Sequence, residues 1–188
     1  MRHTAHKSPL LGGNAFGQLG IGNTTSDHNP QSVTTGESPT SIHLGWHHAC
    51  AISDGNRYCW GLNTSGQLGL DNKTNQTLPQ TPDTDHAWDQ LTLGGYHTCG
   101  IAQGKLYCWG SNSYGELGND TQTASAIPVS VGTGHTWDHV DGGGLHTCAI
   151  AQGKIYCWGD NRQGQVGGSI GGPQLTPVAL SPLLYPTP

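Results

Sequence analysis

The sequence repeats itself every 49 residues. Cys-Trp-Gly begins at Cys59, Cys108 and Cys157, and His48, His97 and His146 keep the same step, as do Trp88 and Trp137. A glycine–asparagine element, G-x-N-x-x-G-x-x-G, starts at Gly12, Gly61, Gly110 and Gly159. Repetition at a fixed period without insertion means that one supersecondary unit stacks on copies of itself, each burying a face that it cannot bury alone.

Within one period the pattern is that of short strands. Trp88 to Gly94 alternates, with Trp88, Gln90 and Thr92 on one side and Asp89, Leu91 and Leu93 on the other. Thr98 to Ala102 and Lys105 to Trp109 follow, joined by Gln103-Gly104, then a glycine-rich loop and a short strand at Pro128 to Val131. No apolar period of 3.6 residues appears, so the unit is all-β. A unit of this size built from about four strands is one blade of a β-propeller. A tail is expected over residues 1–11 and a partial propeller over 12–188, with about 3.6 of an expected seven blades.

The cysteines take their places from the turn. If Gln103-Gly104 is a two-residue hairpin turn, Cys99 faces Cys108. The same holds for Cys50 and Cys59 around Asp54-Gly55, and for Cys148 and Cys157 around Gln152-Gly153. Counting outward, each pair falls at a non-hydrogen-bonded position, where strands approach closely enough for a disulfide. Three local disulfides are the reading; free thiols are the alternative in a reducing compartment. Zinc would find His97, Cys99 and Cys108 on one strand face, three ligands where a tetrahedral site needs four. A redox pair is usually separated by two residues, not eight. No metal and no cofactor are expected.

The other recurrent residues read as scaffold. His48, His97 and His146 recur with the repeat, as a structural hydrogen-bonder does and a catalytic base need not. Trp60, Trp109 and Trp158 end a strand and are expected to pack between blades, against Ala51, Gly100 and Ala149. Gly17, Gly66, Gly115 and Gly164, beside Asn14, Asn63, Asn112 and Asn161, supply turns of positive φ. Leu19, Leu68, Leu117 and Val166 anchor them inward. N-x-S/T sequons occur at Asn23, Asn63, Asn72, Asn75 and Asn119, a weak signal in loops so rich in Asn and Thr.

Composition excludes several classes. Seven Lys and Arg against twelve Asp and Glu, a net charge of -5, offer no basic face for nucleic acid. There is no apolar run to span a bilayer. No nucleophile stands with a base and no carboxylates pair, so the chain does not read as an enzyme.

The residues GGYHTCGIAQGKLYCWGSNSYGELG, 94–118, resemble the repeat of the regulator of chromosome condensation family, with G-x-x-H at Gly45, Gly94 and Gly143. The resemblance implies a seven-bladed propeller of four-stranded blades that presents loops to a protein partner, a glycan being the other candidate. The paired cysteines resemble those of secreted bacterial or cell-surface members, which implies an extracellular or cell-surface location. The alternative is a cytoplasmic guanine-nucleotide exchange factor or other GTPase regulator. GWHHA at Gly45 is the one approximate copy of the G-W-R-H-T motif on which ultraviolet sensing by plant members depends. Half a ring implies a fragment of a longer protein or a homodimer closing the ring.

Overall fold

In a computed structural model, residues 8–35, 39–82, 86–167 and 170–180 are described. Fourteen strands and no helix lie among them. They are β1 (Ser8–Gly12), β2 (Asp27–Val33), β3 (Pro39–Leu44), β4 (His48–Ser53), β5 (Asn56–Gly61), β6 (Gln76–Gln80) and β7 (Gln90–Leu93). Then come β8 (His97–Ala102), β9 (Lys105–Gly110), β10 (Ser125–Val131), β11 (Trp137–Gly142), β12 (His146–Ala151), β13 (Lys154–Gly159) and β14 (Gln174–Ala179). Three four-stranded antiparallel meanders, β3 to β6, β7 to β10 and β11 to β14, are three propeller blades.

A fourth, two-stranded sheet pairs β1 with β2. Both strands lie 49 residues before β5 and β6, so they are the outer two strands of a preceding blade. Ser8 to Leu11 thus belong to a strand, within the stretch expected as tail. They carry neither the Cys nor the Trp that marks this strand elsewhere, which hides them in the sequence.

Each blade has two ends. At one, the turn between its first two strands is tied to the long loop between its last two: Leu62 N donates to His47 O, Ser111 N to Tyr96 O and Asp160 N to Leu145 O, at 2.8 to 2.9 Å. At the other, the tight hairpin meets the connection from one blade to the next, with Trp88 N donating to Gly55 O and Trp137 N to Gly104 O. Asp54-Gly55, Gln103-Gly104 and Gln152-Gly153 all have positive φ at both residues, the geometry whose twist matches that of paired strands.

Blades meet along their first strands. Gln90 of β7 accepts from Val140 N at 3.2 Å, and Thr92 Oγ1 accepts from Gly142 N at 2.9 Å, so polar side chains of one blade cap the backbone of the next. Between them lie apolar layers: Cys50, Ile52, Leu68, Leu91 and Trp109 at one junction, and Cys99, Ile101, Leu117, Val140 and Trp158 at the next. The alternation read over residues 88–94 therefore does not separate core from solvent. Trp88, Leu91, Thr92 and Leu93 are all buried, because both faces of a middle blade are covered.

The outermost faces are not. Ile42 and Leu44 are 38% and 60% exposed, while Leu91 and Leu93, one period on, are 1% and 7%. At the far end Ile155 is 48% exposed where its counterpart Leu106 is 1%. Each terminal blade presents the face that an internal blade buries.

Candidate functional site

What the recurrent residues use up is unavailable for recognition. The hairpin arithmetic holds throughout: Cys50 opposes Cys59, Cys99 opposes Cys108 and Cys148 opposes Cys157. Each pair is a disulfide with Cα atoms 4.0 to 4.1 Å apart. All are buried except Cys148, which is half-buried at the terminal face.

The histidines link blades. His48 Nε2 lies 3.0 Å from Thr98 Oγ1, and His97 Nε2 lies 2.9 Å from Thr147 Oγ1. Each threonine hydroxyl spends its proton on a carbonyl of the preceding blade's loop, Gln67 O at 2.8 Å and Glu116 O at 2.9 Å. The histidine must then be the donor, through Nε2–H. Burial, with the neighbouring His97, pushes His48 from its ordinary 6.5 to about 3; burial, with His146, takes His97 to about 4. Both are neutral struts rather than proton shuttles. His146 has the same place in its blade but is only half-buried, at the open face.

The first glycine of G-x-x-H serves the histidine. A Cβ on Gly94 would run into His97 Cε1, and one on Gly45 would sit 2.5 Å from His48 Cε1. Its purpose is room for the ring, since neither residue has positive φ.

The tryptophans reach back to the same carbonyls as the threonines. Trp60, Trp109 and Trp158 donate from Nε1 to Gln18 O, Gln67 O and Glu116 O, at 2.8 to 2.9 Å. Their rings lie on the last glycine of each preceding loop: a Cβ on Gly20, Gly69 or Gly118 would come within 2.8 Å of an indole nitrogen. Those glycines are small partners of the rings, and Ala51 and Ala149 share the apolar layers of Trp60 and Trp158, whereas a Cβ on Gly100 would meet Trp88 and Leu91.

The loop asparagines organise the loops themselves. Asn63 Oδ1 accepts from Leu68 N, while its Nδ2 donates to Asn72 O and Thr74 O; Asn14 and Asn112 repeat the pattern. Asn63 is fully buried and so is no glycan acceptor despite its sequon. Glu116 stands where other blades have Gln18, Gln67 and Gln165, and burial raises its carboxyl above the usual range.

Among the described residues no three His, Cys, Asp or Glu side chains group to hold a metal. Of the triad considered for zinc, the two sulfurs are bonded to each other and His97 to Thr147. A cleft of about 640 Å³ runs between the first two full blades past Asp71, His86 and Ile127. Arg57 borders it, itself buried, donating to Leu68 O and Gly69 O and lying 4.6 Å from the Trp109 ring centroid. Sequence reading missed this residue, because later blades carry Leu106 and Ile155 in its place.

A second missed group breaks the repeat on the surface. At the end where the long loops gather, Trp46 lies 5.3 Å from Tyr96, Tyr96 lies 6.4 Å from His47, and His47 lies 5.0 Å from Phe16, centroid to centroid. Trp46 is 57% exposed. Its counterparts are Gly95 and Gly144, and its ring rests on both: a Cβ on either would lie 3.0 Å from the indole.

The regulator of chromosome condensation (RCC1) repeat model matches residues 10–52, 54–101 and 103–150, and a second RCC1 model matches 88–116. Comparison with curated protein sequences returns no match. Among solved structures, human WBSCR16 is 20% identical with a TM-score of 0.83, covering 93% of this chain and 48% of its own. Yeast RCC1 (Prp20) bound to Kap60, and Prp20p of Saccharomyces cerevisiae, are each 22% identical with TM-scores of 0.81. They cover 94% of this chain and 45% and 47% of their own. The chain thus spans about half the length of these structures, and the likeness to them is one of fold. With matches to three successive repeats over most of its length, the chain belongs to the regulator of chromosome condensation (RCC1) repeat family.

Proposed function

We propose that this chain is a non-catalytic protein-binding module that works outside the cell or at its surface and forms part of a larger propeller ring. One observation carries the reading. The histidines, tryptophans and glycines that recur are engaged in holding blades together, and the recurrent asparagines in ordering their own loops. Recognition falls to residues that differ between blades, and those lie in the loops. The proteins similar to it in fold include Prp20p, whose crystal structure was described with its binding to Gsp1p and histones. A protein partner for this chain is in keeping with that use of the fold.

Three disulfides favour an oxidising compartment. Ile42, Leu44 and Ile155, exposed where their counterparts are buried, favour further blades on both terminal faces. Thiol titration of native-source protein, denatured without reductant, tests the location: no reactive thiol is expected, and six would move the protein to a reducing compartment. In that event the intracellular alternative, a GTPase regulator, becomes the reading to test, by nucleotide release.

A further inference from the structure

The rim of the propeller is a row of sheet edges. The last strand of each blade, β2, β6, β10 or β14, ends its sheet, and solvent reaches apolar side chains there: Leu78 is 51% exposed, Ile127 50% and Val178 41%. An unpaired edge of this kind is a template for another strand. Charge is the common deterrent, and here it is almost missing. Among these four strands Asp27 is the one Asp, Glu, Lys or Arg. β10, Ser-Ala-Ile-Pro-Val-Ser-Val, has no charge at all, and without its proline would have the make-up of a segment that pairs with copies of itself.

That proline recurs. Pro30, Pro79, Pro128 and Pro177 stand one period apart, each within its outer strand. Each also lies inside a register shift: Pro128 falls between Ser125 and Val129, which face Gly110 and Cys108, and the same shift encloses the other three. Cys99 and Cys108 form a non-hydrogen-bonded pair, so Cys108 turns its main chain toward Val129, and alternation turns that of Pro128 outward. The rim therefore lacks an N–H at this position. Two residues before the proline the carbonyl is already taken: Gly22 N donates to Thr77 O, Asp71 N to Ala126 O and Asp120 N to Leu175 O, at 2.8 to 3.0 Å. An incoming strand would meet a spent acceptor and then a missing donor.

We propose that these prolines, with the loop amides that occupy the carbonyls beside them, close the rim to strand addition and hold partners and further copies of the chain to its other surfaces. This goes beyond the protein-binding reading and does not depend on it.

Pro128→Val restores the missing N–H on the uncharged strand. The test places it in the full chain carrying Leu44→Asp and Ile155→Asp, which keep the exposed terminal faces apart. By light scattering the double variant is expected to hold one mass at every concentration, and its Pro128→Val form to rise about twofold as the rims of two copies pair. In the paired form the amide of Ser130, which shares the direction of residue 128, is expected to exchange about tenfold more slowly. A Pro128→Val chain that keeps its disulfides and stays monomeric would overturn the proposal. So would association that leaves Ser130 exchange unchanged, or a double variant that already pairs with Ser130 protected. Pro79→Val repeats the comparison on β6 if Pro128→Val does not fold.

Discussion

At the scale of the residue, a single hydrogen atom on Gly94 makes the blade possible. Gly94→Ala puts a methyl inside the His97 ring and is expected to cost about 1–3 kcal/mol by overpacking. Gly134→Ala, where nothing lies within 4 Å, is expected to stay within about 0.5 kcal/mol of the parent; urea unfolding of the two variants checks both. The histidines add a pH dependence. His48 and His97 hold folded pKa values of about 3 and about 4, below their ordinary 6.5, so as pH falls the unfolded chain takes up protons that the folded chain refuses. Their contribution is complete above pH 6.5 and declines as pH drops toward 4, by up to about 1.4 kcal/mol per unit for each. Glu116, raised by burial, works in the opposite sense. Urea midpoints between pH 7.5 and 4.5 should fall in the parent and fall less steeply in His97→Asn; a flat parent profile contradicts the assignment. None of this was legible in G-x-x-H alone. The motif shows that a glycine precedes a histidine by three, whereas the partner, Thr98 or Thr147, lies fifty residues away.

At the scale of the element, the hairpin was the most legible part of the chain. A two-residue turn fixes every opposing pair, so Cys99 against Cys108 follows from counting, and β8 and β9 have that register. The outer strand was less so. β10 begins at Ser125, three residues before the stretch read as strand, and its register shifts between Ser125 and Val129, an irregularity that no simple alternation announces. Removing one bridge by a double Cys→Ala change is expected to cost about 2–3 kcal/mol, read as a shift in the urea midpoint. The three should not open together. Cys148 is half-buried at a terminal face, while Cys50 and Cys99 are fully enclosed. Under graded reductant in native conditions Cys148–Cys157 should be alkylated first, as peptide mapping by mass spectrometry would show; simultaneous labelling of all six cysteines contradicts this order.

At the scale of the whole molecule, three blades follow from the period, while β1, within the stretch expected as tail, and the contents of each junction do not. Arg57 replaces an aliphatic side chain at one junction only, and Trp46 crosses two blades because the glycines beneath it are spatial neighbours rather than sequence neighbours. Contacts between repeats depend on which residues of two copies meet, and a repeat read alone does not contain that. The open faces carry a further expectation. Ile42, Leu44 and Ile155 give the isolated chain apolar surface at both ends, so its apparent mass by light scattering should rise with concentration. Leu44→Asp with Ile155→Asp should suppress that rise, and a parent that stays monomeric at every concentration contradicts it. The bonds from His48 to Thr98 and from His97 to Thr147, each reaching the next blade, also bear on descent. Loss of a whole 49-residue unit leaves a histidine facing the threonine of the following copy, whereas loss of half a unit takes one partner and strands the other. A ring held by such bonds is therefore lengthened or shortened a blade at a time.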